Sequence, residues 1–120
     1  MSIYIISKSN VMRHKITLPQ LKKYDITQKV IMALADAESR VILFSIIRKG
    51  KTASDLSVSL KIPLSSVYKK LSDLENLTLV RVEKTILSEK GRRFKIYRSR
   101  INKAEISIKK PEPTLSLSAN

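Results

Sequence analysis

The side chains of this 120-residue chain that are best placed to do chemistry lie in two short stretches. One stretch is Lys90-Gly91-Arg92-Arg93, in which a glycine is followed at once by two guanidinium groups. The other contains Ser65 and Ser66, followed by Tyr68 and Lys69. Cations of this kind bind phosphates, and hydroxyl and ammonium groups hydrogen-bond to base edges. The chemistry predicted here is therefore recognition of a polyanion.

The composition argues against enzymatic chemistry. The chain has no Cys, and His14 is its single histidine, so thiolate or histidine metal clusters and a Ser/His/Asp triad are excluded. Two glycines are too few for a Gly-rich phosphate loop, and no paired carboxylates or nucleophile–base pair can be assembled. We expect no catalytic activity, no cofactor and no metal.

Net charge is the strongest compositional signal. Lys and Arg number 24 against 10 Asp and Glu, which leaves +14. Such an excess favours nucleic acid, with a basic surface for a protein partner as the alternative. The densest part is residues 78–100, with eight basic and two acidic residues for a net +6, and residues 1–27 carry +4.

Targeting signals are not evident. No apolar run approaches the roughly 18 residues that a membrane-spanning helix needs, and Met1 to Ser7 lacks the basic start of a secretory signal. We expect a cytoplasmic protein associated with the nucleoid and not with a membrane.

The N-terminal half predicts two helices before any turn motif. Ile3 to Ile6 is compatible with a short strand, and Pro19 with the start of a short helix. Asp25 with Gln28 resembles a capping box for a helix over 26–35. Asp36 is a second candidate N-cap, for a helix ended by Lys49 and Gly50; one bent helix is the alternative.

A turn between two helices is predicted next. Thr52 and Asp55 have the spacing of a capping box for a helix over 53–60. Pro63 interrupts and opens a fourth helix over 64–76. Val67, Leu71 and Leu74 form its inward stripe, which leaves a polar face outward.

The pattern then changes to alternation with a period of two. Residues 79–86 and 92–100 predict two strands, joined by a turn at Ser88 to Gly91. Their expected inward set is Val80, Val82, Phe94 and Ile96. Residues 101–120 are interpreted as a largely disordered tail, in which Ile106 and Ile108 are compatible with a short strand.

This order of elements predicts a winged helix-turn-helix, a mainly α chain with a small β-hairpin (α+β). Residues 28–100 would form the DNA-binding domain, after an N-terminal extension over 1–27 and before the tail. Helix 64–76 would enter the major groove, and the basic wing over 86–95 would lie on phosphates or in the minor groove. The candidate DNA-binding residues are Thr52, Ser65, Ser66, Tyr68, Lys69, Lys70, Lys90, Arg92, Arg93 and Lys95.

Four segments in this order resemble the ArsR-like winged-helix regulators of bacteria and archaea. The segments are 33–43, similar to A-L-A-D-P-x-R-x-x-I-L; 60–71, similar to L-G-L-S-x-S-T-V-S-R-H-L; Leu74 with Leu79-Val80; and 91–97, similar to G-R-R-V-x-Y. Lys61, Pro63 and Ala37 replace the family's turn glycine, serine cap and helix-opening proline, and a lysine in that turn is expected to adopt a positive φ. Metal sensing does not carry over to a chain without Cys.

The leading hypothesis is a sequence-specific regulator that binds double-stranded DNA, of the repressor type that the resemblance implies. We expect a homodimer formed through the N-terminal region, with Val30, Ile31 and Leu34 as core or as pairing surface. The alternative is a winged-helix architectural or RNA- or ribosome-associated protein without sequence specificity.

Overall fold

The computed structural model describes the backbone of residues 3–5 and 18–120 and the side chains of residues 26–120. This part of the chain has an α+β fold with four helices and two small antiparallel sheets. In chain order the elements are β1 (Ile3–Ile5), α1 (Leu18–Ala35), α2 (Ala37–Ser45), α3 (Ala53–Leu60), α4 (Leu64–Asn76), β2 (Val80–Leu87), β3 (Arg93–Ser99), β4 (Ile101–Ser107) and β5 (Thr114–Ala119).

The first two helices are separate and meet where predicted, but α1 begins earlier and α2 ends earlier than expected. Helix α1 begins at Leu18, with Pro19 in its first turn, so the predicted start at residue 26 is wrong and Asp25 lies inside the helix. The break comes at Asp36, whose Oδ2 accepts hydrogen bonds from the Ser39 backbone at 3.0 Å and the Ser39 hydroxyl at 2.8 Å. Asp36 is therefore the predicted N-cap of α2, and the single bent helix is excluded.

Helix α2 ends at Ser45, earlier than Lys49 and Gly50 suggested. Gly50 instead allows the chain to approach strand β3. A Cβ at this position would lie 2.6 Å from Ile96 Cγ2 and 3.1 Å from the Tyr97 carbonyl oxygen. The neighbouring Lys51 exchanges two backbone hydrogen bonds with Tyr97, at 3.1 and 2.8 Å. These bonds attach the segment before α3 to the edge of the hairpin.

Helices α3 and α4 have the predicted bounds. Thr52 and Asp55 form a complete capping box at the start of α3. Lys61 ends α3 with φ +56°, the left-handed conformation expected from the missing glycine. Pro63 precedes α4 and provides no side-chain cap. The α4 stripe Val67, Leu71 and Leu74 is fully buried, which leaves the opposite face to solvent.

Strands β2 and β3 form the predicted hairpin, with two differences in detail. At the turn, Gly91 has φ +79° and its N–H donates to the Ser88 carbonyl at 2.9 Å. A bulge between Val82 and Lys84 shifts the register, so the alternation of β2 reverses along the strand. Phe94, expected to face inward, is 37% exposed, whereas Tyr97 is buried.

The prediction of a disordered tail over 101–120 is wrong for most of these residues. Strands β4 and β5 pair antiparallel, and β1 pairs with the other edge of β5, so the three-stranded order is β1-β5-β4. Leu115 and Leu117 of β5 are buried in the core, and this burial of apolar surface stabilises the ordered strand. Asn120, directly after β5, attaches this sheet to the rest of the fold. Its side-chain amide donates to the carbonyls of Ile47 at 2.8 Å and Ser99 at 3.0 Å.

One hydrophobic core connects the helices with both sheets. Val30 and Leu34 of α1 belong to it with exposures of 1% and 6%, and Ile31 packs against it. These side chains are thus core and not an open pairing surface. The other core members come from α2, α3, α4 and the strands, and include Ile42, Leu43, Leu56, Val67, Leu71, Leu79, Val80, Tyr97, Ile101, Leu115 and Leu117.

Candidate nucleic-acid interface

The exposed face of α4 carries most of the predicted base-reading side chains. Ser65, Tyr68 and Lys69 are exposed, and Ser66 is half-buried. The Lys69 side chain is 78% exposed, and its Nζ lies 3.7 Å from Asp73 Oδ2, one helical turn further on. An exposed pair of this length contributes little to stability. The Lys69 ammonium can therefore leave Asp73 for another anion at little cost.

Lys70 is placed differently from Lys69. Its Nζ lies 2.7 Å from Asp36 Oδ2 and 3.7 Å from Glu38 Oε1, and its side chain is only 23% exposed. The hydrogen bond to Asp36 raises the pKa of Lys70. The same bond, with those from Ser39, lowers the pKa of Asp36 to about 2. Although the sequence suggested a DNA contact for Lys70, the structure shows it holding α4 against the start of α2.

The hairpin presents its predicted cations to solvent. Lys90, Arg92, Arg93 and Lys95 are all exposed. Nearer the core, Glu83 Oε2 lies 2.7 Å from Arg98 Nη1 and 3.8 Å from Arg81 Nη2. Within residues 26–120, no ion pair joins an acid to any of the four exposed cations. Their charge is therefore available to an external anion.

The register of the hairpin directs two of these cations toward the helices. Arg93, Lys95 and Tyr97 alternate along β3 and so share one face of the strand. Tyr97 on this face is buried against the helices. Arg93 and Lys95 extend the same face outward, beyond the edge of the core.

A cleft of about 180 Å³ lies where α3, α4 and the hairpin meet. It brings together four predicted residues, Thr52, Tyr68, Arg93 and Lys95. Ala53, Ser54, Phe94 and Tyr97 complete its lining. The Thr52 oxygen accepts from the Asp55 N–H at 3.0 Å, which leaves its hydroxyl proton free to donate. The cleft thus combines two cations with hydroxyl donors.

Tyr97 keeps its proton in this cleft. Burial raises the pKa of its phenol, and the negative charge of Glu75 raises it further. A protonated phenol can donate a hydrogen bond to an anion. Neither Tyr97 nor Ser54 was among the predicted residues. The sequence did offer a signal for Tyr97, because a residue two positions after Lys95 lies on the same face of the strand.

The remaining predicted residues lie outside the lining of this cleft. Ser65, Ser66 and Lys69 belong to α4, whereas Lys90 and Arg92 lie at the hairpin turn. Arg92 is held by its backbone, because its N–H donates to Ser88 Oγ at 3.1 Å and its carbonyl accepts from the Ser88 N–H at 2.8 Å. This bonding orders the turn while leaving the guanidinium exposed.

The described part of the chain contains no group of three or more His, Cys, Asp or Glu side chains that could hold a metal ion. None of its helices is both long enough and apolar enough to cross a membrane.

Comparison with known proteins adds no relative: no protein-family model matches the chain, and no curated protein or solved structure is significantly similar to it.

Proposed function

We propose that this protein is a winged helix-turn-helix regulator that binds double-stranded DNA at specific sequences. The observation that carries the proposal is the cleft between α3, α4 and the hairpin, with Arg93 and Lys95 on one wall and the exposed face of α4 beside it. Phosphate contacts fix the position and orientation of a helix that reads bases. The cleft and the hairpin cations provide such contacts next to α4.

In this proposal α4 lies in the major groove and the β2–β3 hairpin is the wing. Ser65, Ser66, Tyr68 and Lys69 face base edges or the adjoining backbone. Thr52, Tyr97, Arg93 and Lys95 bind a phosphate in the cleft, and Lys90 and Arg92 bind the backbone or minor groove further along. Lys70 is left out because it is held by Asp36 at 2.7 Å.

The regulatory role rests on the resemblance to ArsR-like proteins, which implies a repressor. Binding to DNA would place the protein in the cytoplasm, at the nucleoid. We further propose a homodimer that pairs through the N-terminal region, so that two copies of α4 read two half-sites. Of residues 1–27, residues 1–2 and 6–17 lie outside the described structure. The paired strand β1 and the helical residues 18–27 are part of this region, so deleting it would also damage the fold. Pairing is therefore best measured by sedimentation of the full chain.

A second candidate is a winged-helix protein that binds nucleic acid without sequence preference. The outward face of α4 favours it in one respect, since Lys69 is its only available cation while Lys70 is paired. Asp73 and Glu75 are also exposed on this helix. A face with few strong donors reads few bases, whereas the hairpin cations act on any phosphate backbone.

Selection from a pool of randomised duplexes by the full-length protein tests the proposal. An enriched motif, palindromic if the protein is a dimer, is the expected result. Duplexes retained with no enriched motif would support the second candidate instead. Failure to retain any duplex at low salt would contradict the proposal and would restrict the second candidate to RNA. Lys109→Ala is a suitable control protein, because it removes an exposed cation outside the proposed interface.

A further inference from the structure

The outer half of the β2–β3 hairpin exposes three large apolar side chains among its cations. Leu87 is 66% exposed, Ile86 43% and Phe94 37%. Single exposed apolar residues are ordinary, but three at one hairpin end form a patch that needs an explanation. Leu87 is the last residue of β2, directly before the turn. Leu87 therefore lies at the projecting end of the hairpin, whereas Phe94 also contributes to the lining of the cleft beside α3 and α4.

The strand register divides these residues between the two faces of the hairpin. Ile86 pairs with Phe94, so both lie on one face. Leu87 pairs with Arg93, on the opposite face that also carries Lys95. Apolar surface is thus present on both faces, with cations beside it on each: Lys84 near Ile86, and Arg93 beside Leu87. A flat protein surface would cover only one of these faces.

The minor groove of DNA fits this distribution of surface. Its two walls contact both faces of an inserted hairpin, and its phosphate rims attract the flanking cations. The groove of B-form DNA is only about 6 Å wide, too narrow for a two-stranded hairpin with side chains. Entry therefore requires the groove to open, and apolar side chains inserted between base pairs are a known means of opening it.

We propose that the hairpin tip enters the minor groove, with Leu87 as an apolar wedge that partly unstacks one base step and bends the DNA toward the major groove. This inference rests on the proposed DNA binding and goes beyond it by assigning a deformation to the wing. Leu87 leads because it is the most exposed of the three and lies opposite Arg93, which holds the adjacent phosphate. The preferred step is a flexible pyrimidine–purine step, such as TA.

The test measures bending and unstacking with the full-length protein. Duplexes with dyes at both ends report bending by energy transfer, and 2-aminopurine beside a TA step in the wing-proximal flank reports unstacking. Wild-type protein is expected to shorten the end-to-end distance and increase the 2-aminopurine fluorescence. Leu87→Ser should abolish both signals and weaken binding about tenfold. Its dependence on salt should stay unchanged, because no phosphate contact is lost.

Two variants make the result specific. Leu87→Phe keeps an apolar wedge and should retain bending. Ile108→Ser removes a similarly exposed apolar side chain, 73% exposed and distant in sequence from the hairpin, and should behave as wild type. Circular dichroism melting checks that each variant is folded.

The possible results distinguish a failure of the Leu87 wedge proposal from a failure of the proposed DNA binding. Tight binding by wild type without bending, or bending that survives Leu87→Ser, would overturn the wedge and leave the proposed function standing. A change in the sedimentation of free Leu87→Ser, with bending intact, would mean that the tip contacts a second copy of the chain, and would also overturn the wedge. No binding to any duplex would overturn both proposals.

Discussion

Lys70 Nζ lies 2.7 Å from Asp36 Oδ2, and this contact connects the proposed recognition helix to the N-cap of α2. Asp36 at the same time accepts from the backbone and the hydroxyl of Ser39. The Asp36 carboxylate therefore caps α2 and also holds α4 in position beside it. Lys69, one residue earlier in the chain, points to solvent and is free for a different role.

The Asp36 carboxylate predicts a loss of stability in acid. Its pKa in the folded chain is about 2, below the ordinary 3.8. A lowered pKa stabilises the fold above pH 3.8, and this contribution is lost as the pH falls toward 2. Asp36→Asn keeps a capping oxygen but loses the charge. We expect a lower free energy of unfolding at pH 7 and a flatter pH dependence between pH 4 and 2, measured by urea unfolding.

Asp73→Asn is the matched control for that measurement. It removes the carboxylate of an exposed i,i+4 pair with Lys69 at 3.7 Å. Such pairs contribute little, so its unfolding curves should match wild type. A wild-type pH dependence in Asp36→Asn would contradict the assigned role of Asp36.

Lys69→Ala tests whether α4 reads DNA sequence. A side chain at a base edge should cost roughly 1–3 kcal/mol on a specific site and less on random duplex. Fluorescence anisotropy on both duplexes measures the difference, with Lys109→Ala as the control for lost charge. Equal losses on the two duplexes would restrict Lys69 to phosphate contact, and no loss on either would remove α4 from the interface.

Arg92→Ala with Arg93→Ala tests the electrostatic role of the wing. Each phosphate contact contributes about −0.9 to the slope of log affinity against log salt. We expect the double variant to make this slope shallower by about 1–2 per protomer, with similar losses on specific and random duplex. Because both side chains are exposed, the fold should survive.

The double variant Lys109→Ala with Lys110→Ala provides the control for the salt titration. It removes the same charge from an exposed segment between β4 and β5. Its slope should stay near that of wild type. If both double variants change the slope equally, the effect comes from net charge and the wing makes no particular contact.

We expect that replacing Thr78 with glycine stabilises the fold. It has φ +62°, which is strained for a β-branched side chain. Thr78→Gly should raise the free energy of unfolding by about 1 kcal/mol, because glycine adopts this conformation freely. Lys61→Gly, at φ +56°, should give a smaller gain. Ser72→Gly in the exposed interior of α4 is the control and should destabilise by roughly 0.5 kcal/mol; thermal melts compare the three.

We expect Gly50→Ala to destabilise the fold through a steric clash, because position 50 lies close to strand β3. The new Cβ would lie 2.6 Å from Ile96 Cγ2 and 2.9 Å from Glu83 Oε1. We expect a loss of about 1–3 kcal/mol in urea unfolding, since β3 must shift away. At Gly91 a Cβ would meet nothing within 4 Å, so Gly91→Ala should cost only the strain of φ +79°, about 1 kcal/mol. A loss at Gly50 smaller than the loss at Gly91 would contradict the close approach.

Local signals were enough to predict α3, α4 and the turn between them. Thr52 with Asp55, the missing glycine at Lys61 and the stripe Val67, Leu71 and Leu74 each act within one or two turns of chain. Capping and helical periodicity are therefore readable without knowing what packs against them. The start of α1 was predicted wrongly because Asp25 and Gln28 have the spacing of a capping box, although both lie inside a helix that begins at Leu18.

Non-local pairing explains the larger errors. Leu115 and Leu117 alternate with serines, which is a strand pattern, but the Pro-rich segment before them favoured disorder. Their burial depends on pairing with β4 and β1 and on a core built by distant residues. Likewise, the exposure of Phe94 depends on how far the hairpin extends beyond the core, and the pairing of Lys70 with Asp36 depends on contacts across the fold, so both residues were misplaced.

The pairing of β1 with β5 also has a consequence for the order of folding. Ile3 is opposite Ser118 and Ile5 opposite Ser116, so this contact closes a loop of nearly the whole described chain. Closing such a loop costs more entropy than forming the neighbouring helices and the hairpin. We expect α2, α3, α4 and the hairpin to form an early nucleus. The three-stranded sheet would then be added last, when Leu115 and Leu117 fill the side of the nucleus that is still open to water.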